Sequence, residues 1–332
     1  RLTTAMDHVV ESHGVTQVWQ DTGYTGAGSV VSIIDTGIDG MHVGLDDLDD
    51  DNSTNDPKII AFYDPVNTPE LENGTEIFPY DDQGHGTHCA GITAGTGAPD
   101  NAYVGVAPQA QLVGVKVLDE GGSGSFATVM RGMEWTIEYQ NLVQPNIRVL
   151  TSSLGEQQIE FHIDNDGSSA WSQIADAAVE SGLVVTLSAG NEFGSATIAG
   201  CNTIDSPGDA RLPITVASLD QDLSLAIYSS RGYTSDGRVK PDVAAIGSSI
   251  WAPDATNNVG YTPKSGTSMA TPLMAGIVAL TLEANPDLTP AEVKETLIAG
   301  YAIEREILND DPDAASNNCS TLETRPDNEY GY

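Results

Sequence analysis

Ser268 lies in Gly266-Thr267-Ser268-Met269-Ala270-Thr271-Pro272, where a loop gives way to a helix. Gly260-Tyr261-Thr262-Pro263 supplies breakers upstream. Downstream, Leu273, Met274, Ile277, Val278, Leu280 and Leu282 repeat with helical period as far as Asn285-Pro286. Pro272 fits a first helical turn, whose amides have no partner inside the helix. A serine here sits beside unpaired N–H groups and the positive end of the helix dipole. Its hydroxyl, on attacking a carbonyl, would find donors for the oxyanion it creates. Taken alone, however, Gly-Thr-Ser reads more readily as a helix cap.

A hydroxyl becomes a useful nucleophile when an imidazole takes its proton and a carboxylate holds that imidazole. The imidazole candidates are His85 and His88, in Gly84-His85-Gly86-Thr87-His88-Cys89-Ala90-Gly91, and the carboxylate candidate is Asp35, ending the apolar run Val30–Asp35. Histidines three apart can also bind a metal, but no Glu separates these and no third ligand is evident, so His88 reads as a hydrogen-bonded core histidine. Asp35-Thr36-Gly37 could also belong to an aspartic protease, which needs a second carboxylate to share the proton. The second copy, Asp21-Thr22-Gly23, lies 14 residues upstream with no strand before it, too close to build another lobe. The glycine-rich Gly23–Gly28 precedes a strand rather than following one, which excludes a dinucleotide fingerprint.

Four blocks in order, Val31-Ser32-Ile33-Ile34-Asp35-Thr36-Gly37, Gly84–Gly91, Leu187-Ser188-Ala189-Gly190-Asn191-Glu192 and Gly266–Pro272, resemble those of the subtilisin-like serine proteases over roughly Gly26 to Ala299. The resemblance implies a serine endopeptidase with Ser268 as nucleophile, His85 as general base then acid, and Asp35 as orienting carboxylate. Asn191 and the Ser268 backbone amide would hold the oxyanion. Gly121, Gly122, Ser123 and Gly124 would line one substrate edge, Ser153, Leu154 and Gly155 the other. With Ala189 and Gly190 these would wall the pocket for the residue before the scissile bond, and Asp205 at its rim could draw a basic side chain. The family further implies a secreted monomer acting on polypeptides, with a propeptide or protein inhibitor as a further partner, and a free cysteine at Cys89. Cys201 and Cys319 could pair in a disulfide. Leu273 and Ile246 depart from the family's pattern without touching the proposed chemistry. A non-catalytic relative serving as a binding or scaffold protein usually lacks a nucleophile, base or oxyanion residue, and none is lacking here. An esterase would show Gly-x-Ser-x-Gly, and Ser268 does not.

Acidic residues outnumber basic ones 48 to 13, for a formal charge of −35. Such a balance argues against a nucleic-acid partner. Because the acids are interspersed with periodic apolar segments, the chain reads as folded with an acidic surface adapted to high salt; an acidic secreted enzyme rich in cation sites is the alternative. Asp46, Asp47 and Asp49, with Asp64, Asp81 and Asp82 nearer His85, are candidate ligands for structural calcium, which takes six to eight oxygens. A solvated acidic face would look the same. No 18-residue apolar stretch is evident, so no membrane span is expected.

Positioning these residues requires strands that end beside them. Apolar runs at Val30–Asp35, Ile59–Tyr63, Gln111–Val117, Arg148–Thr151, Leu183–Ala189 and Ile214–Ala217 read as strands. Helices are expected over His85–Ala94, Ser125–Tyr139, Trp171–Val179 and Ala291–Ala299, the last opened by Pro290 with Thr289 as cap. Strands alternating with helices predict an α/β fold, a doubly wound three-layer domain with a mainly parallel sheet and helices on both faces. Residues 1–332 are expected to form one peptidase domain, with 1–22 as an N-terminal segment holding a short helix. Residues 301–332 are expected as an atypical, truncated tail, and Arg1-Leu2-Thr3-Thr4 as a processed end.

Overall fold

The computed structural model describes residues 5–51, 53–156, 165–193 and 203–300. Two short helices, α1 (Ala5–Ser12) and α2 (Val15–Thr22), open it where one was expected. Gly14, at φ 71°, adopts the left-handed conformation that separates them. Then follow β1 (Val30–Asp35), β2 (Ile59–Tyr63), α3 (His85–Ala94), β3 (Gln111–Lys116), α4 (Phe126–Tyr139), β4 (Val149–Ser152), α5 (Ala170–Glu180), β5 (Val184–Ser188) and β6 (Ile214–Leu219). Two-residue strands β7 (Gly232–Tyr233) and β8 (Val239–Lys240) precede β9 (Val243–Ile246). The hairpin β10 (Ile250–Pro253)–β11 (Tyr261–Lys264) leads into α6 (Thr267–Ala284), and α7 (Pro290–Gly300) follows.

Seven strands form a parallel sheet in the order β2-β3-β1-β4-β5-β6-β9. Helices cover both faces. Val31, Ile33, Leu112, Val149 and Val184 face the layer containing α3 and α6, whereas Ile34, Val115, Leu150, Val185 and Leu187 face that of α4 and α5. Burial on both sides explains why the strands read as nearly unbroken apolar runs. Strand β1 lies between β3 and β4, where the strand order turns, so Asp35 ends at the crevice that such sheets offer to ligands.

Helix α6 departs from expectation in two ways. It has the length and composition to cross a membrane, contrary to the sequence reading, but most of it is buried in this fold, against the sheet and α3. Pro272 lies six residues into the helix rather than in its first turn. Its missing N–H therefore leaves the carbonyl four residues back, that of Ser268, without its helical donor. That gap is put to use in the cleft.

Candidate active site

Asp35, at the last position of β1, is 1% exposed. Its Oδ1 accepts the Thr36 N–H at 2.8 Å and lies 2.7 Å from His85 Nδ1, with Oδ2 at 2.9 Å. His85 opens α3, whose first turn is held by side chains. Asp81 accepts the N–H groups of Gln83 (3.0 Å), Gly84 (2.8 Å) and Thr87 (2.9 Å) and the Thr87 hydroxyl (2.7 Å), while Gln83 Oε1 accepts the His85 N–H at 2.9 Å. Gly86 lets the helix approach β1, since a Cβ there would stand 2.1 Å from the Gly37 carbonyl oxygen. Burial, the largest single effect, would lower the His85 pKa, but the Asp35 carboxylate and the Cys89 sulfur beside it together raise it well above its ordinary 6.5. Among the described residues, the other ring nitrogen, Nε2, has no protein partner.

Ser268 is the second residue of α6. Its Oγ donates to the Ser153 carbonyl at 3.1 Å rather than to His85. The Ser268 carbonyl that Pro272 leaves open accepts the Ser153 hydroxyl at 3.0 Å and the Cys89 thiol at 3.4 Å. The helix interruption thus fastens α6 to the end of β4 and to α3. Asn191 follows β5, and its Oδ1 accepts both the N–H (2.9 Å) and the hydroxyl (3.1 Å) of Thr267. That leaves the Asn191 Nδ2 donors unengaged among the described residues. A Cβ on Gly266 would stand 3.6 Å from both Nδ2 and the Ser268 amide nitrogen, so glycine keeps the space between these donors open.

Strands β4 and β5 are neighbours, so Ser153–Gly155 and Ala189–Gly190 leave the sheet side by side. Ser188 Oγ donates to the Leu154 carbonyl at 3.1 Å, and Glu156 N–H to that of Ser206 at 3.1 Å, which brings the Asp205 segment beside this wall. Across the cleft, Asp119 accepts the amides of Gly121 (2.9 Å) and Ser123 (3.0 Å) on Oδ1, and its carbonyl takes that of Gly122 at 2.9 Å. Of this segment's amides, the one on Gly124 has no partner among the described residues.

His88 is fully buried, with Nε2 bonded to the carbonyls of Ile250 (3.1 Å) and Thr262 (3.0 Å). Burial, aided by the charge of Lys264, lowers its pKa to about 3, so it stays neutral. Cys89 is a buried free thiol, 3.9 Å from His85 Nδ1. Asp35, His85 and Cys89 lie close enough to share an ion, but burial raises the thiol pKa and disfavours the thiolate a metal would need. A second set, Asp47, Asp49 and Asp56, brings carboxylate oxygens within 4.8 Å of one another. Asp56 closes the acidic stretch 46–56 from which ligands were expected. Asp46 lies beside this group, its pKa raised by burial and by Asp47 and Asp50. Asp64, Asp81 and Asp82 do not join it. Asp64 accepts from Tyr80 and Asn67, Asp81 caps α3, and Asp82 pairs with buried Lys116. Cys201 and Cys319 lie outside the described residues.

A model of the subtilase family matches residues 26–332. Serine protease AprX of Bacillus subtilis is 40% identical over 311 residues, 87% of this chain and 64% of AprX, so the chain spans less than two thirds of that relative. Subtilisin DY of Bacillus licheniformis is 34% identical, with 84% of this chain and 85% of the relative aligned. Among solved structures, a cold adapted subtilisin-like serine proteinase superposes with a TM-score of 0.63 at 29% identity, covering 84% of each chain.

Proposed function

The chain belongs to the subtilase family, and from that membership we propose that it is a secreted serine endopeptidase acting through Ser268, His85 and Asp35. The observation that carries this assignment is the 2.7 Å contact between Asp35 and His85 beside an α6 N-terminus that presents Ser268. Ser268 Oγ attacks the scissile carbonyl carbon as His85 Nε2 takes its proton. Asp35 holds the Nδ1–H and stabilises the imidazolium. The Asn191 carboxamide and the Ser268 amide receive the oxyanion, a side-chain donor of this kind contributing about 3–4 kcal/mol in subtilisin. The imidazolium then protonates the leaving amine. Water, deprotonated by His85, releases the acyl group by the same path in reverse order.

Before attack, Ser268 Oγ must leave the Ser153 carbonyl for His85, and such contacts commonly tighten only when substrate is bound. An extended polypeptide runs between Gly121–Gly124 and Ser153–Gly155, its side chain before the scissile bond lying between the latter and Ala189–Gly190. A propeptide or protein inhibitor would occupy the same edge. The chain acts as a monomer, with its catalytic residues carried by one domain. The all-oxygen set Asp47, Asp49 and Asp56 fits a hard cation, and calcium held there would brace the loop without entering the reaction.

Labelling with a fluorophosphonate and digestion of a peptide library test the assignment. Ser268→Ala should abolish labelling and lower kcat by about 10⁶ while leaving the protein folded. A variant retaining more than a tenth of wild-type hydrolysis would remove Ser268 from the mechanism.

A further inference from the structure

Lys264 ends β11, four residues before Ser268. Its half-buried ammonium donates to the carbonyl of Gly84, at 3.0 Å, and Gly84 immediately precedes His85. An ammonium carries three donors. Among the described residues no carboxylate lies within ion-pair distance of this one, although the chain holds 48 acidic residues. The remaining lysines are otherwise committed. Lys58 is buried on the carbonyls of Pro108 and Ala110, Lys116 pairs with Asp82, and Lys240 and Lys294 share Asp242.

The side of the cleft on which Lys264 stands follows from the contacts around it. Ser268 Oγ reaches the Ser153 carbonyl, so the acyl part of a substrate lies toward β4 and β5. Strand β11 packs on the other flank, against the first turn of α3, through Thr262 to His88 at 3.0 Å and Lys264 to Gly84. The leaving amine must take its proton from His85, so the departing peptide passes this flank. The molecule as a whole repels acidic peptides at −35, and a half-buried cation at the exit offsets that repulsion locally.

We propose that Lys264 selects for an acidic side chain at the first or second residue after the scissile bond. The inference rests on the protease reading above. Its carboxylate partner would take the ammonium donors that Gly84 leaves over, as a charge-assisted hydrogen bond.

The test is a set of peptides sharing one acyl half and carrying Asp, Glu, Asn, Gln or Lys at either leaving position, cleaved in competition so that product ratios give relative kcat/KM. We expect the acidic peptides to exceed their amide counterparts by about five- to tenfold, the gap narrowing in 0.5 M salt. The ratio should fall to about one in Lys264→Gln, turn in favour of lysine in Lys264→Glu, and persist in Lys264→Arg. Equal cleavage of all peptides by the wild type, or an unchanged ratio in Lys264→Glu, overturns the inference and leaves the protease standing, provided Ser268 is still labelled by fluorophosphonate. A wild type that is neither labelled nor active on any peptide overturns both.

Discussion

At the scale of single residues, the Asp35–His85 pair sets a pH dependence. His85 accepts the Ser268 proton only when neutral, and Asp35, with Cys89 beside it, holds its pKa well above 6.5 against the effect of burial. The acid limb of kcat/KM on a peptide should therefore rise with a midpoint above pH 6.5. A midpoint at or below 6.5 would contradict the pairing. Asp35→Asn should bring the midpoint down and cut the plateau by about 10⁴. Stability runs the other way. A histidine whose pKa rises on folding stabilises the fold below its unfolded pKa, and that contribution is lost as pH climbs through the folded value. Residue type and spacing made Asp35, His85 and Ser268 legible in the sequence, because each sits inside a short motif. Lys264 carried no such mark, and Ser153, expected to line the substrate edge, gave no sign of its bonds to Ser268. Their roles arise where β11 crosses α3 and where Pro272 opens a carbonyl to β4, contacts spanning 180 and 115 residues.

At the scale of elements, two devices surround α3 without entering the chemistry. Asp81 satisfies three backbone amides and a hydroxyl at the start of the helix that carries His85. Asp81→Ala should destabilise the protein by about 2 kcal/mol, the upper end for a lost cap, and lower kcat by loosening His85. Asp81→Asn, which keeps an acceptor, should restore much of both. A melting temperature unchanged in Asp81→Ala would show that the turn is held by other means. The acidic loop is the second device. If Asp47, Asp49 and Asp56 hold calcium, chelation at fixed ionic strength should lower the melting temperature of Ser268→Ala and shorten the autolysis half-life of the active protein. Neither changing would remove calcium from this loop. The parallel strands were readable because both faces are buried, making each an apolar run. Hairpin β10–β11 was not, since Tyr261-Thr262-Pro263-Lys264 looks like a turn and pairs only with Ile250–Pro253. The second helix near the start was missed for want of a clean period, and Pro272 was placed a turn too early because a helix tolerates proline internally when another element supplies the missing donor.

At the scale of the whole molecule, the distribution of the lysines sharpens what the net charge implies. Lys58, Lys116 and Lys240 are buried, at 0%, 0% and 2% exposure, and Lys264 and Lys294 are half-buried, so none of the five lysines is exposed. Of the described arginines only Arg211 is exposed, so among the described residues few cations lie on the surface to divide the acidic residues from one another. Repulsion among like charges destabilises a compact state, and it is screened over about 3 Å in 1 M salt against about 10 Å in 0.1 M. The buried lysines are held by carbonyls and by Asp82 and Asp242, contacts that salt reaches far less. Added salt should therefore relieve the surface without loosening the interior. The melting temperature of Ser268→Ala, which cannot digest itself, should rise steadily from 0.1 M to 2 M sodium chloride. Sodium chloride also strengthens apolar burial, so sodium perchlorate provides the contrast. A rise in both salts over the first few tenths molar reports screening, and any divergence above that reports burial. A melting temperature flat or falling in both salts over the lower range would show that the acidic surface does not strain this fold, and halophilic adaptation would be refuted.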